Sequence, residues 1–197
     1  MSATITVRQS VPTASRILTD SPRDPDYVDS FVAELRLENE PSIDALTAAF
    51  FTSTPGWVRG LMEARNCIVR LAGLSTAPTP PPGTAPPSVR YAPGDRAVYF
   101  TVLERTEDEV VLGERDRHLD FRTALRKSRT PTGQLRLELT TVVWFHGASG
   151  RLYFGLVKPF HRLILGSMLG RFAAKQGSEV LPSTRRRRGA ATAASGG

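Results

Sequence analysis

The chain has 197 residues, of which 40% are hydrophobic and 23% are charged, a balance typical of one globular domain with tails. Its single cysteine excludes an internal disulfide framework and a zinc site built from several thiolates. The sequence contains no run of about 18 apolar residues and no apolar leader, so we expect a soluble cytoplasmic protein without a transmembrane segment.

The first half of the chain predicts a strand followed by two helices. Residues 27–37 alternate between a more apolar set, which includes Asp29, and a more polar set, which is the pattern of a strand with one buried face. Ser42 and Thr54 are suited to cap helices, and apolar residues recur at helical spacing after each of them. In the second helix, we expect a buried stripe that begins at Trp57.

The second half predicts consecutive antiparallel strands and one long terminal helix. The sequence HGASG at 146–150 is typical of a hairpin turn before a last strand. Pro159 then predicts the start of an amphipathic helix that reaches about residue 176. The residues expected in the sector that faces the sheet are Phe160, Leu163, Ile164, Ser167, Met168, Arg171 and Phe172. The predicted strands are 97–105, 110–114, 118–127, 135–145 and 151–157.

This order of elements predicts an α+β helix-grip fold, in which a curved antiparallel sheet wraps around the long C-terminal helix and two short helices follow the first strand. One helix does not fill so wide a sheet, and we therefore expect a cavity between them. The single domain should span residues 24–176 and contain a proline-rich surface insert at 75–93. We expect a flexible N-terminal arm over 1–23 and a disordered, arginine-rich tail over 177–197.

Three segments combine residues in a distinctive way: WVRGLMEARNCIVRLAGL at 57–74, GERDRHLDFR at 113–122 and YFGLVKPFHRLILGSMLGRF at 153–172. Together they resemble a bacterial family, the domain-of-unknown-function family 2867, over roughly residues 26–175. The resemblance implies no established activity. It connects the chain to the helix-grip superfamily of START-like, pollen-allergen-like and polyketide-cyclase-like proteins.

The polar residues within these segments are the candidate site. His118, Asp120 and Arg122 alternate along one strand and therefore project from one face. Either that face is the solvated outer face, or it faces the cavity and the three side chains are paired there, because buried unpaired charges are costly. We predict that Arg65, His118, Asp120, Arg122 and His161 form a ligand-binding set on the cavity wall, with Asp120 holding a ring nitrogen of His118.

The sequence offers little support for metal or cofactor chemistry. The three histidines lack the paired spacing of metal ligands, and no nucleotide-binding or nucleophile-elbow motif is present. Cys67 lies beside a predicted buried stripe without an evident base, which indicates an inert core thiol. We therefore predict no metal site and no cofactor.

Three functions remain open. The first is a binding module that holds a small apolar or amphipathic molecule in the cavity. The second is a cofactor-independent enzyme of the cyclase or dehydratase type that uses His118 and Asp120 as acid and base. The third is an interaction protein that acts through the proline-rich loop or the arginine run 185–188, although nucleic acid is not the expected partner because such a run attracts phosphate non-specifically.

Overall fold

The computed structural model describes residues 2–8, 15–19, 23–35, 40–63 apart from 59 and 62, 90–115 apart from 98 and 99, 117–175 and 179–180. The helices are α1 (Arg16–Thr19), α2 (Ile43–Thr52) and the terminal helix α3 (Ala148–Lys175), and residues 56–58, 60, 61 and 63, after Thr54, are also helical. The strands are β1 (Ser2–Arg8), β2 (Tyr27–Leu35), β3 (Arg96–Ala97), β4 (Phe100–Arg105), β5 (Glu109–Arg115), β6 (Leu119–Arg129), β7 (Leu135–Phe145) and β8 (Glu179–Val180).

Within the described residues, all of these strands form one sheet in the order β3-β4-β5-β6-β7-β2-β1-β8. Neighbouring strands are antiparallel from β3 to β1, and β8 pairs with β1 in parallel. This curved antiparallel sheet with a long C-terminal helix and short helices confirms the predicted α+β, helix-grip-like fold. No helix in the described ranges is long and apolar enough to cross a membrane.

The sheet has an inner face, which α2 and α3 cover. Phe31, Ala33 and Leu35 of β2 alternate toward this face, as the sequence pattern predicts, and pack with α2 and α3 in the main hydrophobic core. The hydroxyl of Ser42 accepts a hydrogen bond from the N–H of Ala45 at 3.1 Å, which confirms the predicted cap of α2.

The outer face of the sheet is partly covered by α1. Ile17 is buried there against Val111, Ala124, Val142 and Trp144. The carboxylate of Glu109 accepts hydrogen bonds from the Ser15 hydroxyl and from the N–H of Arg16, which anchors the start of α1. These contacts lie within the expected arm 1–23, while the boundaries of the domain stay a prediction.

One predicted strand is wrong, and another is divided in two. Residues 151–157 belong to α3, and Pro159 lies inside that helix. Both edges of β7 are already paired, with β6 and β2, so a strand directly after it has no free edge to join there. The predicted strand 97–105 is instead a hairpin of β3 and β4, in which Ala97 pairs with Phe100. In the sequence, no glycine or asparagine stands between Ala97 and Phe100 to predict a division.

The predicted buried faces of two helices also need correction. Phe160 and Leu163 point away from the sheet, whereas Met168 and Phe172 are buried as predicted, together with Phe154 and Leu169. In the helix after Thr54, Trp57 is exposed and its neighbour Val58 is buried. The rest of that predicted helix beyond residue 63, and most of the proline-rich insert, lie outside the described residues.

Candidate functional site

A row of polar side chains crosses the inner face of the sheet. Asp29 of β2 pairs in register with Thr141 of β7, which pairs in turn with Thr123 of β6. All three residues are buried, and the hydroxyls of Thr123 and Thr141 lie 3.2 Å apart, within hydrogen-bonding distance. The row interrupts a face that is otherwise packed with aliphatic and aromatic residues, so its polar groups need partners.

The carboxylate of Asp29 is the centre of the site because it is ionisable and only 2% exposed. The Tyr27 hydroxyl donates a hydrogen bond to Oδ2 of Asp29 at 2.7 Å. From the facing helix α3, Nε2 of His161 lies 3.3 Å from the same oxygen and 3.4 Å from Oδ1. These contacts join β2 to α3 and orient the His161 ring.

Two cations complete the group on the side of Tyr27. Nε of Arg162 donates a hydrogen bond to the Tyr27 hydroxyl at 3.2 Å, and Nζ of Lys158 lies 4.9 Å from the centre of the Tyr27 ring. Burial, together with the hydrogen bond to Asp29, raises the pKa of Tyr27 to about 12. Tyr27, Asp29, Lys158, His161 and Arg162 are called the Asp29 cluster below.

An aromatic surface borders the Asp29 cluster. The ring of Tyr27 lies 4.7 Å from that of Phe154, and the Phe145 ring lies 5.4 Å from Phe154 on the other side. Leu119 and Val143 are buried in the same hydrophobic cluster, and Phe121 packs against it. Acid, base and cation therefore meet apolar surface at the junction of sheet and helix, an arrangement suited to an amphipathic molecule.

The four described residues of the predicted set do not converge. His161 belongs to the Asp29 cluster. Asp120 and Arg122 alternate with Phe121, which faces α3, and therefore project from the outer face. There the guanidinium of Arg122 lies 5.4 Å from the centre of the Trp144 ring. Arg65 lies outside the described residues.

His118 and Asp120 have separate partners. Nδ1 of His118 lies 3.3 Å from the Ser149 hydroxyl. Asp120 instead contacts Nε2 of His146 at 3.3 Å and Nε of Arg115 at 3.2 Å, so the predicted contact between Asp120 and a ring nitrogen of His118 is wrong. His118 lies just before β6, where its carbonyl accepts a hydrogen bond from the N–H of His146 at 2.8 Å and its ring contacts Ser149 of α3, whereas Asp120 projects from the strand itself.

Sequence reasoning missed Tyr27, Asp29, Lys158 and Arg162. One signal was available: Asp29 shares the apolar parity of its strand, and a carboxylate on a buried face needs donors. Nothing local in the sequence shows that those donors come from α3, more than 125 residues later along the chain.

A second buried carboxylate, Asp44, holds the inner layer together. It accepts a hydrogen bond from Nη2 of Arg105 at 2.7 Å and from the N–H of Tyr91 at 3.1 Å. Burial opposes ionisation of Asp44, but these bonds and the charge of Arg105 outweigh it and hold its pKa below the ordinary value. The described residues contain no group of three or more side chains arranged to hold a metal ion.

Comparison with known proteins yields a family. No curated protein matches the chain. The model of a family described as "Protein of unknown function (DUF2867)" matches residues 21–168, which is most of the chain and includes every residue of the Asp29 cluster. The further link to START-like proteins stays a prediction. The sequence resemblance to this family is thus confirmed, and the chain belongs to DUF2867.

Proposed function

We propose that this protein binds a small amphipathic molecule between the inner face of its sheet and α3, with the polar end of that molecule at the Asp29 cluster. The observation that carries the proposal is the meeting of the buried Asp29 carboxylate with His161 and the cationic side chains of α3 beside an aromatic surface. Arg162 and Lys158 suit an anionic or carbonyl-bearing head, and Phe154 with its neighbours suits an apolar body.

Packing alone does not account for the Asp29 cluster. A buried ion pair often contributes no more to stability than well-packed apolar side chains of similar volume. Helix α3 already has an apolar contact with the sheet on either side of His161, through Phe154 and Met168. A polar junction between these two contacts therefore supports recognition of a ligand more than it supports folding.

The same pair of residues favours an enzymatic alternative. Asp29 orients His161 through Nε2, and Nδ1 of His161 has no hydrogen-bond partner among the described residues. A histidine oriented by a carboxylate is a common general acid or base. In this alternative, His161 and Asp29 replace His118 and Asp120 as the acid–base pair, because the latter two do not contact each other.

Native mass spectrometry of the purified full chain tests the binding proposal, since a retained molecule adds its mass to the folded protein. A titration with a dansyl-labelled medium-chain fatty acid then locates the site. Arg162→Gln should weaken binding of this probe by about tenfold or more, because one charge-assisted hydrogen bond is lost. Arg122→Gln is the matched control, since Arg122 is a half-buried arginine on the outer face.

Equal affinities in wild type, Arg162→Gln and Arg122→Gln would contradict the proposed site. The enzymatic alternative predicts that an extracted molecule, added back in excess, is converted by the wild type and is returned unchanged by His161→Gln. Binding without conversion in the wild type would remove that alternative and leave the binding function.

A further inference from the structure

Helix α3 carries a row of exposed apolar side chains on the side away from the sheet. Leu152 is 80% exposed, Leu156 55%, Phe160 43% and Leu163 57%. They follow one another at intervals of three or four residues and so lie along one face of the helix, over about 16 Å. These four residues are called the apolar stripe.

The apolar stripe is not diluted by charged groups. The exposed residues between its members are Gly155 and Pro159, which carry no polar side chain. Soluble proteins commonly expose single apolar residues, but a contiguous exposed row on one helix face marks an interaction surface. The inner contacts of α3 leave this row free, because Phe154, Met168 and Phe172 lie on the buried side.

The charges of α3 indicate what covers the apolar stripe. The helix contains five basic residues and no acidic one. Among these basic residues, the exposed Arg151 precedes the stripe along the helix, and the exposed Arg171 follows it. A second copy of the chain packed through this face would bring like charges together, whereas an anionic surface would complement them.

We infer that the apolar stripe of α3 inserts into the interface of an anionic membrane, with the exposed Arg151 and Arg171 reaching the lipid head groups. A helix with one apolar face and basic flanks lies in the plane of such a surface. Lys and Arg near an anionic leaflet add attraction that falls with salt. The chain as a whole is also basic, with a formal net charge of +7.

This surface is separate from the Asp29 cluster. His161 contacts the sheet, while its neighbour Phe160 points outward on the same helix. Membrane binding and ligand binding are therefore tested independently, because substitutions in the apolar stripe affect the first and substitutions in the Asp29 cluster affect the second.

Co-sedimentation of the full chain with lipid vesicles tests the inference. Wild type should bind vesicles of phosphatidylcholine with about 30% phosphatidylglycerol, and bind pure phosphatidylcholine vesicles much more weakly. The triple variant Leu152→Ser, Leu156→Ser, Phe160→Ser should bind the anionic vesicles at least about tenfold more weakly. Leu103→Ser is the matched control, since Leu103 is an exposed leucine on β4 that packs near Gly113 on the outer face.

A second measurement separates insertion from simple attraction to charge. Arg185–Arg188 are first replaced by serine, so that this run cannot hold the chain on anionic lipid by charge alone. In that background, Phe160→Trp should add a blue shift of tryptophan fluorescence on anionic vesicles. The reference is the same serine-substituted chain with Phe160 retained. A blue shift that is absent would mean that the stripe does not enter the lipid.

Besides an absent blue shift, three binding results would overturn the inference. The triple variant could bind anionic vesicles as tightly as the wild type. The wild type could bind neutral and anionic vesicles equally. The wild type could fail to bind any vesicles. If it then forms a dimer or a complex with an acidic protein, and the triple variant does not, a protein covers the stripe.

Discussion

Replacing Phe172 by alanine should destabilise the protein far more than replacing Phe160, although both are phenylalanines of α3. Phe172 is 0% exposed in the main core, so its truncation removes a buried ring and leaves a cavity. Such changes cost about 3–5 kcal/mol. Phe160 keeps nearly half of its surface in water, so its truncation loses only about 1 kcal/mol of apolar burial and leaves no cavity.

Urea denaturation followed by far-ultraviolet circular dichroism measures both free energies of unfolding. The two variants should differ by at least about 2 kcal/mol, and the melting temperature of Phe172→Ala should fall by about 10 °C. Phe172→Leu should lie between Phe172→Ala and wild type, which gives a measurable result even if the alanine variant unfolds. Equal losses from the two alanine variants would refute the orientation of α3 described above and restore Phe160 to the core.

Three further outcomes follow from the described contacts. The stabilisation by ionised Asp44 should be present above its unfolded pKa of about 3.9 and lost as pH falls through its lower folded pKa. Asp44→Asn should already be destabilised by about 3 kcal/mol at pH 7, because Arg105 loses its partner. On acid titration, its free energy of unfolding should therefore fall less than that of the wild type. Parallel pH profiles of the two proteins would contradict this. In thermal melts, Gly150→Ala should cost roughly 3 kcal/mol, because the new Cβ would lie 2.2 Å from a backbone carbonyl oxygen, whereas Gly155→Ala in the same helix should be neutral or stabilising; similar melts would count against this packing. Tyr91→Phe should leave the free energy of unfolding unchanged or raise it, since the buried Tyr91 hydroxyl has no hydrogen-bond partner within the described residues; a clear loss of stability would reveal a partner.

The parts of the fold that the sequence predicted are those with a local signal. Alternation marks β2, β6 and β7, and Ser42 marks the start of α2. The start of α3 was missed because its first turns also alternate when read as a strand, and only the pairing of both edges of β7 excludes that interpretation. The division between β3 and β4 was also missed, because the sequence between Ala97 and Phe100 contains none of the residues typical of a tight turn.

Predicting the site required knowing which face of each strand packs on α3, and the alternation within one strand does not show this. Alternation predicted that Asp120 and Arg122 share a face, which is correct, but not which face packs on α3. Phe121 and Leu119 decide that choice, because burying them places the charged residues on the outer face. The same rule applied to β2 places Asp29 inside, and burial of that carboxylate then requires donors from the element above it.

The wrong assignment of Phe160 and Leu163 to the buried side of α3 has a physical cause that bears on function. Hydrophobic periodicity locates the buried side of a helix only when the opposite side is polar. In α3, apolar residues line both sides: Phe154, Met168 and Phe172 pack on the sheet, and the apolar stripe faces outward. Folding accounts for the first group, because it is buried. It does not account for the second group, which remains exposed to water, so a partner that removes the stripe from water is the simpler explanation for its presence. Because α3 carries basic residues and no acidic one, its charges favour a partner that carries negative charge.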